Sequence, residues 1–254
     1  MKKFALIILS YAMFFGTTNS FAQKRLTVAA AANVQFVMDE LKKDFEKSSG
    51  TEMNVILNSS GRLTAQIKEG APYDIFVSAD TKYPEELYKS GFATDSPRVY
   101  ANGVLVLWTT RADIKPSADL KILISIVIKK IAIANPQTAP YGAASEEAMK
   151  YYNVYDLVKD KLIYGESISQ TNQYILSQSA DIGFTAKSIV LADEMKGKGA
   201  WIDLDSKSYK SIQQAAVILK HGNETNKEAV HQFYNYLYSE QAKNILRRFG
   251  YIVN

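Results

Sequence analysis

Four short stretches place small polar residues where a strand would hand over to a helix. They are Ala29-Ala30-Ala31-Ala32-Asn33, Asn58-Ser59-Ser60-Gly61-Arg62, Thr138-Ala139-Pro140-Tyr141-Gly142 and Glu166-Ser167-Ile168-Ser169. The chemistry open to such turns is capture of an anion. The first N–H groups of a helix lack an intrahelical acceptor and lie at the positive end of its dipole, so they attract negative charge without adding a formal one. The Ser60 hydroxyl and the Asn33 amide would add neutral donors. Read alone, each turn is ordinary capping, for which Ser, Asn and Gly are the usual residues. Together the four make a candidate anion site.

Other chemistries have less to work with. There is no cysteine, which excludes disulfides, cysteine zinc sites, iron–sulfur clusters and a thiol nucleophile. The two histidines, His221 and His231, have no neighbour at metal-ligand spacing. Asp74 and Asp80 flank an apolar run and read as structural carboxylates. Asp203 and Asp205 read as solvated, Arg62 as an exposed ion-pair partner, and Trp108 and Trp201 as packing residues. No nucleophile–base pair can be assembled from what remains, so the expectation is a binding protein and not an enzyme.

The elements that must position the turns alternate along the chain. Residues 26–30, 53–57 and 74–78 read as buried strands. Asn33 fits a helix N-cap, and Val34, Val37, Met38, Leu41 and Phe45 follow at helical spacing up to Gly50. Leu63 and Ile67 mark a second helix and residues 84–89 a third. This βαβαβα order predicts parallel strands with right-handed crossovers. Further strands are expected at 104–108, 131–134, 182–184 and 215–219, and further helices at 146–152, 169–178 and 227–249. Residues 120–128 can be read as strand or helix. In open α/β sheets ligands bind beyond the carboxyl ends of strands, where the four turns would lie. The chain shows no internal repeat and no linker. It is read as two α/β lobes with crossings near Asn102-Gly103 and near Leu219: residues 23–101 plus 220–254, and residues 102–219.

The 254 residues are 47% hydrophobic and 22% charged, a globular composition long enough to bury a substantial core. A net charge of +4 with no basic block is too weak to point to a nucleic-acid partner, and none is expected. Residues 1–22 have a Lys2-Lys3 start, an apolar run from Phe4 to Gly16 and a Ser20-x-Ala22 end. They read as a secretory signal cleaved after Ala22, which places the mature protein in the periplasm.

Several segments carry a resemblance to the periplasmic molybdate-binding proteins of ABC transporters, the ModA family. They are residues 26–33, Ser59-Ser60-Gly61-Arg62-Leu63-Thr64-Ala65-Gln66-Ile67, Glu69-Gly70-Ala71-Pro72-Tyr73-Asp74-Ile75-Phe76-Val77-Ser78-Ala79-Asp80, residues 136–142, and the C-terminal stretch from Phe233 through Phe249-Gly250-Tyr251. The resemblance implies a two-lobed α/β solute-binding fold (type II-like), with a mixed sheet in each lobe and the ligand in the cleft between them. It implies molybdate or tungstate as ligand, no cofactor, a membrane permease of an ABC importer as partner, and a monomer. Carried over by position, it puts Asn33 and Ser60 on the first lobe, and Tyr141 and Ile168 on the second, acting through backbone N–H groups. Gly61 stands where the family often has a further serine. Ala186 stands where many members present a tyrosine hydroxyl, and Tyr141 is the alternative source of one. Sulfate, phosphate or another oxyanion, and a secreted enzyme on a similar scaffold, are the competing readings.

Overall fold

The computed structural model describes residues 25–253. The expected signal, residues 1–22, lies outside the described residues. The chain opens with β1 (Arg25–Ala31), a 3-10 turn (Ala32–Val34), α1 (Gln35–Ser49), β2 (Glu52–Asn58), α2 (Ser60–Lys68), β3 (Ile75–Ser78), α3 (Lys82–Lys89) and β4 (Arg98–Gly103). It continues with β5 (Leu105–Thr109), β6 (Ile131–Ala134), α4 (Pro140–Tyr151), α5 (Tyr155–Val158), β7 (Leu162–Gly165), α6 (Ile168–Leu176), β8 (Ile182–Ala186), α7 (Lys187–Val190) and β9 (Ala200–Asp203). It closes with β10 (Ile212–Ile218), α8 (Lys220–Thr225), α9 (Lys227–Leu237) and α10 (Glu240–Arg248).

Two five-stranded sheets result, in the orders β2-β1-β3-β10-β4 and β7-β6-β8-β5-β9. In each, three parallel strands lie beside an antiparallel fourth: β1 is parallel to β2 and β3, with β10 antiparallel to β3. Likewise β6 is parallel to β7 and β8, with β5 antiparallel to β8. The two lobes therefore share one strand plan, which the sequence does not display as a repeat. Central strands such as β3 and β6 are buried at every position because helices cover both faces. In α1, the expected Val37, Met38, Leu41 and Phe45 form the buried stripe. Phe45 meets Phe233 of α9 edge-on, with ring centroids 5.1 Å apart. Gly50 ends α1 at a φ of 70°, a conformation cheap only for glycine.

Several expectations need correction. Strand β10 belongs to the first sheet, not the second lobe, so the return crossing lies between β9 and β10 and not near Leu219. An apolar strand reads the same in either sheet, and pairing with β3 decides. The expected helix 227–249 is two helices, because Ser239 caps a new start by accepting from Ala242 N–H. Asn33 is not an N-cap; a 3-10 turn precedes α1, and its amide is engaged elsewhere. Residues 120–128 form neither strand nor α-helix, only a 3-10 turn at Lys121–Ile124.

Candidate anion-binding site between the lobes

The strand plan delivers the four turns to one place. The turn after β1 (Ala31, Ala32, Asn33) and the turn after β2 (Ser59, Ser60) face the turn after β6 (Ala139, Pro140, Tyr141) and the start of α6 (Ile168). With Ala79 after β3 they line a small cavity between the lobes. All four sequence-derived site residues, Asn33, Ser60, Tyr141 and Ile168, are brought together there. None of the lining residues is charged at neutral pH; the one titratable group among them, the Tyr141 phenol, stays neutral because burial raises its pKa well above the usual range.

Each donor has a local cause. Pro140 at the first helical position pre-sets α4 and lacks the N–H that would go unused there, leaving the N–H of Tyr141 in the first turn. Ile168 opens α6 behind the N-cap Ser167, so its N–H too lies in a first turn. Ser60 is fully buried, and its Oγ accepts from Ala79 N–H at 3.1 Å, which orients the hydroxyl and leaves its proton to donate. Ser60 is thus the first residue of α2, while Ser59 occupies the N-cap position. Ser59 does no capping: its side chain makes no cap hydrogen bond, and its buried Oγ has no partner among the described residues.

Asn33 is held from behind. Its Nδ2 donates to Gln214 Oε1 and to Tyr251 OH, both at 2.8 Å, while Ser188 Oγ donates to its backbone carbonyl at 2.8 Å. The amide hydrogens expected to face a ligand are therefore turned into the first lobe, and Oδ1 is left without a partner. Ser59, Gln214, Ser188 and Tyr251 are the residues that sequence reasoning missed as parts of the site. The signal available for Gln214 was a pair of amides inside an otherwise apolar strand, Ile212–Ile218, in which Gln213 is exposed and Gln214 fully buried.

Among the described residues, the buried side-chain atoms with no hydrogen-bond partner are Asn33 Oδ1, Ser59 Oγ, Tyr141 OH and Tyr234 OH. Three of these belong to residues lining this one cavity. Protein interiors rarely leave polar atoms unpaired. Of these, the Ser59 hydroxyl is a donor that a polar guest would complete, whereas Tyr141 OH lies at the far end of its side chain, against β4.

The lobes are closed on each other. Gly61 N–H donates to Thr138 O at 2.9 Å, Tyr83 OH to Gln137 O at 2.8 Å, and Ser169 Oγ to Gln35 Oε1 at 3.0 Å. Arg62 and Glu166 pair across the lobes at 2.6 Å, both about half exposed, in line with the exposed role expected of Arg62. A Cβ at Gly61 would sit 2.7 Å from Tyr83 OH and 3.0 Å from Thr138 Cα, so a serine there would require Tyr83 to move and the lobe contact at Thr138 to loosen in this closed form. The tyrosine hydroxyl absent at Ala186 is not simply supplied by Tyr141: its OH lies against the end of β4, where a Cβ on Gly103 would be 2.1 Å away.

The tempting carboxylates are structural. Asp74 accepts from Thr27 N–H at 2.7 Å and lies near His221. Asp80 accepts from Ser78 Oγ and Tyr83 N–H, and burial raises its pKa above the usual carboxylate range. No group of three or more His, Asp or Glu side chains that could hold a metal ion occurs among the described residues.

Comparison with known proteins gives one picture. Residues 26–252 match the family model described as bacterial extracellular solute-binding protein. The chain is similar to the molybdate-binding protein ModA of Rhodobacter capsulatus, 34% identical over 242 residues that cover 95% of this chain and 93% of that protein. Among solved structures it is similar to the periplasmic molybdate-binding protein of Azotobacter vinelandii, with a TM-score of 0.84 and 31% identity over 90% of this chain and 99% of that one. The sulfate-binding protein SubI of Mycobacterium tuberculosis shares the fold, with a TM-score of 0.76 at 15% identity, covering 90% of this chain and 86% of that one.

Proposed function

The chain belongs to the bacterial extracellular solute-binding proteins, and we propose that it captures molybdate or tungstate outside the cytoplasmic membrane and presents it, in the closed form, to the permease of an ABC importer. The observation that carries the reading is the cavity where helix starts from both lobes meet with no charged side chain among the lining residues, and where the buried Ser59 hydroxyl has no partner among the described residues. A tetrahedral dianion suits this set. The Ser60 and Ser59 hydroxyls would donate from the first lobe, the Tyr141 and Ile168 N–H groups from the second, and each would be worth more to a charged guest than to a neutral one.

Asn33 would join through a coupled change. If the Asn33 and Gln214 amides rotate together, exchanging oxygen and nitrogen, Gln214 Nε2 and Tyr251 OH both donate to Asn33 Oδ1. The Asn33 Nδ2 group then turns outward. The exchange keeps both bonds to the Asn33 amide while redirecting the longer contacts of Gln214 with Tyr100 and Ile212 and of Tyr251 with Ser188.

The protein would act as a monomeric binder without cofactor, exported by its N-terminal signal. Binding, not turnover, follows from a site that has donors but no nucleophile–base pair. Molybdate and tungstate share shape, charge and nearly their size, so one donor cage should hold both. Sulfate is smaller and would leave donors unpaired, at roughly 1–3 kcal/mol for each. Thermal shifts with molybdate, tungstate, sulfate and phosphate test this. Clear stabilisation by the first two and little by the others is expected; equal shifts for all four would overturn it.

A further inference from the structure

The first N-terminal ends of β6, β7 and β8 lie at the opposite end of the second sheet from the cavity, because the site residues follow the carboxyl ends of β6 and β7. At that far tip the chain between β5 and β6 exposes Ile124 (43%), Ile126 (80%) and Val127 (46%), and Leu157 of α5, packed near the 3-10 turn, is 63% exposed. Ile126 is the most exposed large apolar side chain among the described residues. Isolated exposed aliphatics need no explanation, but a contiguous set on one loop does.

The loop is held rigidly. Leu120, Leu123 and Ile128 anchor it in the core. Lys161 Nζ donates to the carbonyls of Leu123, Ile124 and Ser125 at 3.0, 3.4 and 3.1 Å. Asp181 accepts from the N–H groups of Lys129 and Lys130 at 2.7 and 2.9 Å. The same bonds that fix the backbone leave the side chains of Ile126 and Val127 outside. A fixed loop loses little freedom on docking, so the exposure is pre-organised.

The charge around it is mixed, with Asp181 at the base of the loop, but lysines outnumber carboxylates on the loop itself. Residues 114–130 carry Lys115, Lys121, Lys129 and Lys130 against Asp119 alone, and Lys129 and Lys130 follow the apolar tip directly. On the adjoining segment Lys159 and Lys161 are balanced by Asp156 and Asp160. Protruding aliphatics followed by the exposed Lys129 and Lys130 match the layering of a lipid interface, with apolar side chains at the acyl boundary and lysines among anionic headgroups. Pairing with a second copy of the tip would instead set lysines against lysines.

We infer that the tip of the second lobe formed by Ile124, Ile126, Val127 and Leu157 is a docking surface for an anionic phospholipid bilayer, on which the protein rests whether its cleft is open or closed. The tip is built within one lobe, so closure of the lobes does not alter it. Such docking would confine the search for a membrane partner to the bilayer plane.

Flotation of the full protein with vesicles of phosphatidylcholine alone and of phosphatidylcholine mixed with phosphatidylglycerol tests this. Binding to the anionic vesicles only, weakened by salt, is expected. Ile126→Asp combined with Val127→Asp should lower vesicle affinity at least about tenfold, since it removes apolar insertion and adds like charge. Lys129→Glu with Lys130→Glu should abolish the preference for anionic lipid. Both double variants should keep the wild-type melting temperature and its shift with molybdate, which separates loss of docking from loss of fold or of the proposed ligand. No binding to anionic vesicles, or binding that survives the Ile126 and Val127 changes, overturns the inference. So does concentration-dependent dimerisation that the same changes remove, which would make the tip a contact between copies.

Discussion

Ser59 and Ser167 occupy the same place in the two lobes, just before the helix that follows the outermost parallel strand of each sheet. Their hydroxyls do opposite things. Ser167 accepts from Gln170 N–H at 3.5 Å while Gln170 Oε1 reaches back to Glu166 N–H at 2.7 Å, a bonding pattern close to a capping box. Ser59 makes no cap bond, and Arg62 takes the position where Gln170 stands in the other lobe. The second lobe thus uses its serine to finish the helix and leaves backbone N–H groups for the cleft. The first lobe leaves its helix start uncapped and keeps the hydroxyls. The turns after β1 and β6 repeat the contrast. Asn33 brings a side chain backed by Gln214 and Tyr251, whereas Ala139-Pro140-Tyr141 brings chiefly the chain itself. One strand plan serves both lobes, and what differs is which polar atoms the local sequence has already spent.

The harshest test of the side-chain half is Asn33→Asp. Tyr251 OH and a rotated Gln214 can both donate to the carboxylate, so the first lobe should fold. The added negative charge faces a dianion, however, and like charges in contact cost several kcal/mol. Molybdate affinity should fall beyond ready detection by titration calorimetry. Near-normal affinity in a folded variant would remove Asn33 from the site.

Next come the serines, which separate the lobes. Ser60→Ala and Ser59→Ala should each weaken molybdate binding by roughly 1.5–3 kcal/mol, the range for a hydrogen bond to a charged partner. Ser59→Ala costs the fold no cap bond, so its apo melting should change little, whereas Ser60→Ala also strands the buried Ala79 N–H and should lower apo stability by about 1–3 kcal/mol. Ser167→Ala should do the reverse, costing about 1 kcal/mol of stability with affinity nearly kept. Calorimetry beside apo melting reads both. A Ser59→Ala variant that loses stability and keeps affinity would erase the contrast.

Arg62→Ala removes the exposed pair with Glu166, worth at most about 1 kcal/mol. Its effect should fall on the association rate and its salt dependence, read by stopped-flow fluorescence. A large rise in dissociation rate would make Arg62 a ligand contact. The smallest effect is expected of Tyr141→Phe. If the second lobe donates through the chain, losing the unpartnered hydroxyl should leave affinity within about 0.5 kcal/mol and apo stability equal or slightly higher. A loss comparable to that of Ser60→Ala would put the hydroxyl on the ligand.

Much of this was legible in residue order. The Val37-Met38-Leu41-Phe45 stripe, Gly50, the fully buried strands β3 and β6, and the four small-polar turns follow from local preference and periodicity, which neighbours along the chain decide. The Ser167-x-x-Gln170 spacing also announces a capping box, and its absence at Ser59-x-x-Arg62 is equally visible. The assignment of β10 to the first sheet was not, because a hydrophobic strand carries no label for its partner. Nor was the role of Asn33, whose amide would have capped a helix had Gln214 and Tyr251 not approached from β10 and the C-terminal segment, separated from it by 181 and 218 residues.

The sequence alone determined the donors: their types, their neutrality and their position at the starts of helices, since all of these are properties of a few consecutive residues. Only the tertiary structure decided which donors are already occupied. Hydrogen bonds such as Ala79 N–H to Ser60 Oγ and Gly61 N–H to Thr138 O depend on sheets and lobes meeting in space. A polar atom is free to bind a guest only when nothing brought to it by the fold has reached it first.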